Sequence, residues 1–174
     1  ETGPDYLKKE LDDSLRRLGV ESIDLYYIHR RDQNRPIEDV TETLASFVKV
    51  GKIRSFGFSE IAPSSLRRAA SVHHVAAVQS EYSLSVRSPE LGLVQTTAEL
   101  GTALVAFSPL GRSLLTDTPH SADKVVAMDW LSKNPRFKEP NLTFNIEAAS
   151  KFRDLAAQYG CLLYTSPSPR DRVL

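Results

Sequence analysis

The chain has 174 residues, with 22 Lys plus Arg balanced by 22 Asp plus Glu and a single cysteine, Cys161. Zero net charge removes the electrostatic case for nucleic acid or an anionic membrane surface as partner. One cysteine excludes an internal disulfide and fits a reducing, cytoplasmic compartment, and the sequence contains no apolar run of about 18 residues that would read as a membrane span.

Taken from the start, Glu1-Thr2-Gly3-Pro4-Asp5 carries neither an initiator Met nor a basic-then-apolar leader pattern, so it reads as the interior of a longer chain. Pro4 suits the first turn of a helix. Leu7, Leu11, Leu15 and Leu18 then recur at about one helical turn, and Gly19 ends the pattern. Ile23 to Ile28 is an apolar run of strand length. Pro36 opens a second helix with Val40, Leu44, Phe47 and Val48 on one face, closed by Gly51. Ile53 to Phe58 is a second strand, and Pro63 starts a third helix through Leu66, Ala69 and Ala70. Val75 to Gln79 is a third strand. A fourth helix is expected from about Pro89 to Leu100, stopped by Gly101, and Thr102 to Phe107 is a fourth strand.

Strict alternation of helix and strand with short links implies parallel strands and right-handed crossovers. Strands that are apolar almost throughout fit a sheet covered on one face by helices and on the other by a core. A doubly wound nucleotide-binding sheet would show a glycine-rich phosphate loop after a strand. Neither GxGxxG nor GxxxxGK[ST] occurs. The expected fold class is therefore α/β, a partial (β/α)8 barrel, because a whole barrel needs about 250 residues.

A parallel barrel brings the C-terminal ends of its strands to one rim, where catalytic groups sit. The polar residues at those ends are His29, Ser59, Gln79, and Ser108 with Arg112. A neutral imidazole at such a rim can donate to a substrate oxygen or tune a neighbouring acid. The segment Phe107-Ser108-Pro109-Leu110-Gly111-Arg112 forms a tight loop after a strand. Its backbone N–H groups and arginine suit a phosphate, and Phe107 can lie flat on an aromatic ring. His73, His74 and His120 read as surface residues, and Arg16-Arg17 and Arg67-Arg68 as solvated helix faces. No His/Cys/Asp/Glu grouping has metal-ligand spacing, so no metal is expected.

After Gly111 the alternation stops. Ser113 to Pro140 is rich in Ser, Thr, Asp, Lys and Pro and reads as a long insertion in a strand-to-helix loop, the kind that forms lids and binding loops. Ile146 to Tyr159 is a further amphipathic helix. From Cys161 to Asp171 periodicity is lost. The string resembles a transposase-type sequencing adaptor read in one frame, which makes residues 161–174 an expected non-native tail and residues 1–160 the natural part of one domain.

Five ordered segments together resemble the aldo-keto reductase family. They are Ser14 to Gly19, Ile23 to Arg30, Gly51 to Ser59, Val78 to Leu84, and Ala106 to Arg112. His29-Arg30-Arg31-Asp32, Glu81-Tyr82-Ser83-Leu84 and Asn134-Pro135-Arg136-Phe137 are most similar to the auxin-induced-like, pyridoxal-reductase-like branch. The resemblance implies an NADPH-dependent reductase of small aldehydes and ketones within a barrel domain. Hydride passes from the nicotinamide to the carbonyl carbon, and a tyrosine protonates the oxygen, helped by a lysine, an aspartate and a histidine. It implies that His29 is the catalytic histidine and that Ser59 and Gln79 bind the nicotinamide carboxamide. Phe107 takes the place of the aromatic that stacks on the nicotinamide ring, and Ser108, Leu110, Gly111 and Arg112 lie near the pyrophosphate. Glu60 replaces the Asn common beside that serine and is assigned no cofactor contact. The family's catalytic Tyr, Asp and Lys lie upstream and are not in this chain, so the 174 residues alone are expected to be poorly stable, to bind NADPH weakly and to turn over nothing. The alternative implied by the resemblance is a non-catalytic regulatory subunit similar to the potassium-channel β subunits.

Overall fold

The first helix, α1, runs from Pro4 to Leu18, with Pro4 in its opening turn and Gly19 closing it at φ 67°. That left-handed closure is open to glycine without steric penalty. This computed structural model describes residues 2–163. The chain divides into two compact units, one up to Phe107 and one from Ser108 onward.

In the first unit α1 is followed by β1 (Ile23–Ile28), α2 (Ile37–Lys49), β2 (Ile53–Ser59), α3 (Pro63–Val72), β3 (Ala77–Glu81), a 3-10 turn (Ser88–Leu91), α4 (Leu93–Glu99) and β4 (Ala103–Phe107). The sheet order is β1-β2-β3-β4, with every pair parallel. Four parallel strands alternating with helices match the partial barrel expected from the sequence.

Register and burial separate the two faces of the sheet. Ile28 pairs with Phe58 and Phe58 with Val78. All three share one buried cluster with Leu7 and Leu11 of α1, Val40 and Leu44 of α2, and Leu66 and Ala69 of α3; Leu104, the next residue in that row, packs against it. Burying a side chain the size of Phe58 contributes about 1.5–3 kcal/mol. Because successive strand residues point to opposite faces, the row Tyr27, Gly57, Ala77, Ala103 and the row above it belong to the other face. There Leu25 and Val105 stay 36% and 40% exposed. Gly57 is demanded by close approach. A Cβ at this position would lie 2.5 Å from the Ala77 carbonyl oxygen and 2.6 Å from the Tyr27 ring.

Ion pairs tie the covering helices together. Arg68 of α3 makes two 2.6 Å hydrogen bonds to the Glu38 carboxylate of α2. Arg67 reaches Glu99 of α4 at 2.5 Å and the Thr96 hydroxyl at 3.2 Å. Lys52 pairs with Asp12 of α1. The arginines read as solvated are exposed, yet Arg67 and Arg68 act as braces between helices. His73 is only half-buried rather than fully at the surface: its ring lies 5.3 Å from that of Phe56, and its Nδ1 is 3.0 Å from the His74 carbonyl oxygen.

The second unit contains α5 (Ala122–Ala127), α6 (Asp129–Ser132), a 3-10 turn (Pro135–Phe137) and α7 (Asn141–Gln158). Ser121 caps α5 by accepting from the Lys124 N–H, and the Asn134 side chain accepts from the Arg136 N–H at 3.1 Å. Leu114, Val125, Leu131, Phe137 and Leu142 form a core of their own, joined by Met128 and Ile146.

Three expectations need correcting. The third strand is Ala77–Glu81, two residues later than the apolar run: Val75 is apolar because it is buried in the core, and the register with β2 begins only at Gly57–Ala77. The helix expected from Pro89 to Leu100 is broken at Gly92, whose φ of 136° no helix accommodates. The stretch from Ser113 to Pro140 is not a bare loop but short helices around a small core. The adaptor-like tail is described only through Leu163; residues 164–174 lie outside the described residues.

Candidate active site

The open face of the first unit carries the candidate chemistry. His29 follows β1 directly, one residue beyond the Ile28–Phe58 pair, and so stands level with Ser59 at the end of β2. Ser59 pairs in register with Gln79, and Gln79 with Val105. Alternation puts His29, Ser59 and Gln79 in one row at the C-terminal side of the sheet, on the face opposite the Ile28–Phe58–Val78 core. Gln79 lies within β3 rather than at its end, since the strand continues to Glu81. Phe107 is one side-chain step higher, paired with Glu81.

Each of these side chains is placed by apolar neighbours on the opposite face. Ile28 is 5% exposed and Phe58 1%, so the backbone below His29 and Ser59 is anchored by packing. His29 itself is exposed, Ser59 is buried and Gln79 half-buried. Among the described residues no hydrogen bond engages the imidazole of His29, the hydroxyl of Ser59 or the side-chain amide of Gln79. Their donors and acceptors face one row and remain open to a ligand. A carboxamide, with one carbonyl acceptor and one NH2 donor, matches a hydroxyl beside an amide.

Two cavities border this end of the sheet. One of about 280 Å³ runs along the free edge of β1 and is lined by Thr2, Tyr6, Glu10, Tyr26, His29 and neighbours. Within it, burial first and then the charge of Glu10 raise the Tyr26 phenol above its ordinary value. Tyr26 belongs to the α1-facing side and packs against the main core, which removes it from the row of His29. The other cavity, about 320 Å³, lies between the loop after β2 and the turn before α4, lined by Glu60, Pro63, Ser80, Pro89 and Leu93 among others. Glu60 has φ 56°, uncommon for a residue with a side chain. Its role escapes sequence reading, because left-handed backbone leaves no signature in a Ser-Glu-Ile string.

The loop residues Ser108, Leu110, Gly111 and Arg112 belong to the second unit. Ser108, Gly111, Arg112 and Ser113 have φ values of 51°, 59°, 56° and 80°. The Gly111 N–H donates to the Ser108 carbonyl at 2.9 Å, and the Leu115 N–H to that of Leu110 at 3.0 Å. The Ser113 hydroxyl accepts from the His120 N–H at 3.0 Å. The Arg112 guanidinium lies 5.4 Å above the Trp130 ring, a cation–π contact. The tight turn expected around Pro109 and Gly111 is thus present, built from consecutive left-handed residues. Among the described residues no group of three or more His, Cys, Asp or Glu could hold a metal ion, and no helix is long and apolar enough to cross a membrane.

A parallel sheet with helices on one face matches part of a (β/α)8 barrel, a fold whose enzymes place their sites at the C-terminal ends of the strands. Comparison with known proteins narrows this. The profile of the aldo/keto reductase family matches residues 2–165. An aldo-keto reductase of Schizosaccharomyces pombe, yakc [NADP(+)], is 42% identical over 156 residues, which cover 88% of this chain and 46% of that protein. Among solved structures, the glycerol dehydrogenase AKR11B4 from Gluconobacter oxydans matches with a TM-score of 0.81 at 32% identity, covering 94% of this chain and 50% of that one. An aldo/keto reductase from Klebsiella pneumoniae, solved in complex with NADP and acetate, matches with a TM-score of 0.56 at 29% identity, covering 62% and 38%. The chain belongs to the aldo/keto reductase family, and its sheet is part of that family's barrel. It spans about half the length of the curated relatives it matches.

Proposed function

We propose that these residues are part of an NADPH-dependent oxidoreductase that reduces small aldehydes and ketones to alcohols. The observation that carries the reading is the register row of His29, Ser59 and Gln79, with side chains unengaged, at the C-terminal side of a parallel sheet in an aldo/keto reductase chain. The NADP-dependent relative and the NADP-bound neighbour support the choice of cofactor.

The nicotinamide cofactor supplies a hydride when bound. Ser59 and Gln79 bind and orient its carboxamide, fixing which ring face meets the substrate. Phe107, one step above on β4, offers a ring face for stacking. Ser108, Leu110, Gly111 and Arg112 lie near the pyrophosphate, with the Arg112 guanidinium supplying positive charge. His29 donates a hydrogen bond to the carbonyl oxygen, orienting it and stabilising charge as it develops. The proton donor and its lysine and aspartate partners come from segments upstream of these residues. Residues 1–160 thus form part of one barrel domain that acts in the cytoplasm, and residues 161–174 are an adaptor-derived tail.

The test is a fluorescence titration of the full-length protein with NADPH and NADH, followed by carbonyl-dependent NADPH oxidation at 340 nm. Tight NADPH binding with carbonyl-dependent turnover is expected of the full-length protein, and neither of the 174-residue chain. NADPH oxidation by the 174-residue chain, or none by the full-length protein, would overturn the reading.

A further inference from the structure

The end of β2 holds a contact that the proposed chemistry does not yet use. At Ser59 the strand stops, and Glu60 turns into left-handed backbone with φ 56°. Its N–H donates to the Gln79 carbonyl at 2.8 Å, a last ladder bond to β3. In a parallel ladder the donors and acceptors that face one neighbour recur every second residue. The next group of β3 facing β2 is therefore the N–H of Glu81, two residues beyond Gln79. No β2 carbonyl reaches it, because the chain has turned away. Glu60 Oε1 accepts from it instead, at 2.8 Å. The side chain extends the ladder one rung past the end of the strand.

We propose that Glu60 is a positioning residue: its carboxylate clips the top of β3 to the end of β2 and so fixes the spacing of Ser59, Gln79 and Phe107. Each of the three is tied to the clip. Ser59 is the residue before Glu60, Gln79 supplies the carbonyl that receives the Glu60 N–H, and Phe107 is the register partner of Glu81. A backbone N–H bonded to a carboxylate is among the stronger hydrogen bonds of a protein. The left-handed φ of Glu60 aims the side chain back along the sheet, and such strain persists where the surroundings over-determine it. The assignment rests on the cofactor reading given above, but the clip itself is read without cofactor.

Three substitutions in the full-length protein separate the contributions. Glu60→Gly relieves the backbone and removes the acceptor. Glu60→Ala removes the acceptor and keeps the strain. Glu60→Gln keeps an acceptor oxygen and removes the charge. Amide hydrogen exchange at Glu81 reads the clip, and an NADPH titration reads its consequence. Glu60→Gly is expected to speed Glu81 exchange by about tenfold or more and to raise the Kd for NADPH severalfold, with KM for NADPH rising more than kcat falls. Glu60→Gln is expected to restore both readings in part, between Glu60→Gly and wild type. Unchanged Glu81 exchange in Glu60→Gly overturns the clip. Faster exchange with unchanged NADPH affinity overturns the positioning role while leaving the cofactor reading intact. Failure of the wild-type full-length protein to bind NADPH overturns the cofactor reading, and the positioning role with it. Should Glu60→Ala unfold, Glu60→Gly still decides, because it carries no backbone penalty.

Discussion

The two faces of the sheet are built to opposite specifications within the same short strands. The helix-covered face is a close-packed row of Ile28, Phe58 and Val78, sealed by three helices. The open face, one residue out of phase, carries His29, Ser59 and Gln79, whose side chains make no hydrogen bond among the described residues. Stability and chemistry are thus interleaved at a period of two. A single residue step at the end of β1 or β2 crosses from a buried apolar side chain to a polar one with no hydrogen bond among the described residues. The buried apolar neighbour holds the backbone still beneath each polar group.

Substitutions can test whether the two faces are as separable as this implies, each made in the full-length protein. Phe58→Ala acts on the covered face alone and should remove about 3–5 kcal/mol of unfolding free energy, read by urea denaturation. A loss under about 1 kcal/mol would mean the core repacks and the division is weaker than drawn. His29→Asn acts on the open face alone. It should lower kcat by about 10²- to 10⁴-fold while the urea midpoint and NADPH affinity hold, so a fall in stability of similar size would blur the two roles.

Gly57→Ala probes the open face where it is already closed. The added Cβ meets the Ala77 carbonyl oxygen at 2.5 Å, and backbone there cannot yield. About 1–3 kcal/mol should be lost. Adding Tyr27→Ala should not restore it, since the ring is the movable of the two obstacles.

The smallest effect concerns the helix braces. The hydrogen bonds from Arg68 hold the Glu38 carboxyl below its ordinary value of 4.5. A carboxyl with a lowered folded value contributes stability that is present above pH 4.5 and lost as pH falls through the folded value. In Arg68→Ala that contribution is absent, so the variant's urea midpoint should lie slightly below wild type at pH 6 and converge with it as pH falls to 3. Identical acid limbs would show that the solvent-exposed pair contributes nothing measurable.

The covered face was legible in the sequence because burial leaves a periodic trace. Leu7 and Leu11, Val40 and Leu44, and the run Ile23 to Ile28 fell where the pattern put them. The open face was legible only at strand ends, where His29 and Ser59 interrupt apolar runs. Gln79 was legible in the same way as the polar end of an apolar run, but it lies within the strand, which starts and ends two residues later than that run. The short helices α5 and α6 were missed because six and four residues are too few for a helical period to repeat. Of the two, α5 alone carried a local signal, Ser121 as its cap; α6 has no side-chain cap. Glu60 was the least legible of all. What it does depends on a backbone turn and on a donor 21 residues away in sequence.

The strand order β1-β2-β3-β4 is also the order of synthesis. Each of β2, β3 and β4 pairs with the strand made just before it. A nascent chain can lay down this sheet from one edge as it leaves the ribosome, each finished strand serving as the template for the next. The Glu60 contact then closes only when β3 arrives, one strand after Glu60 itself is made and before β4.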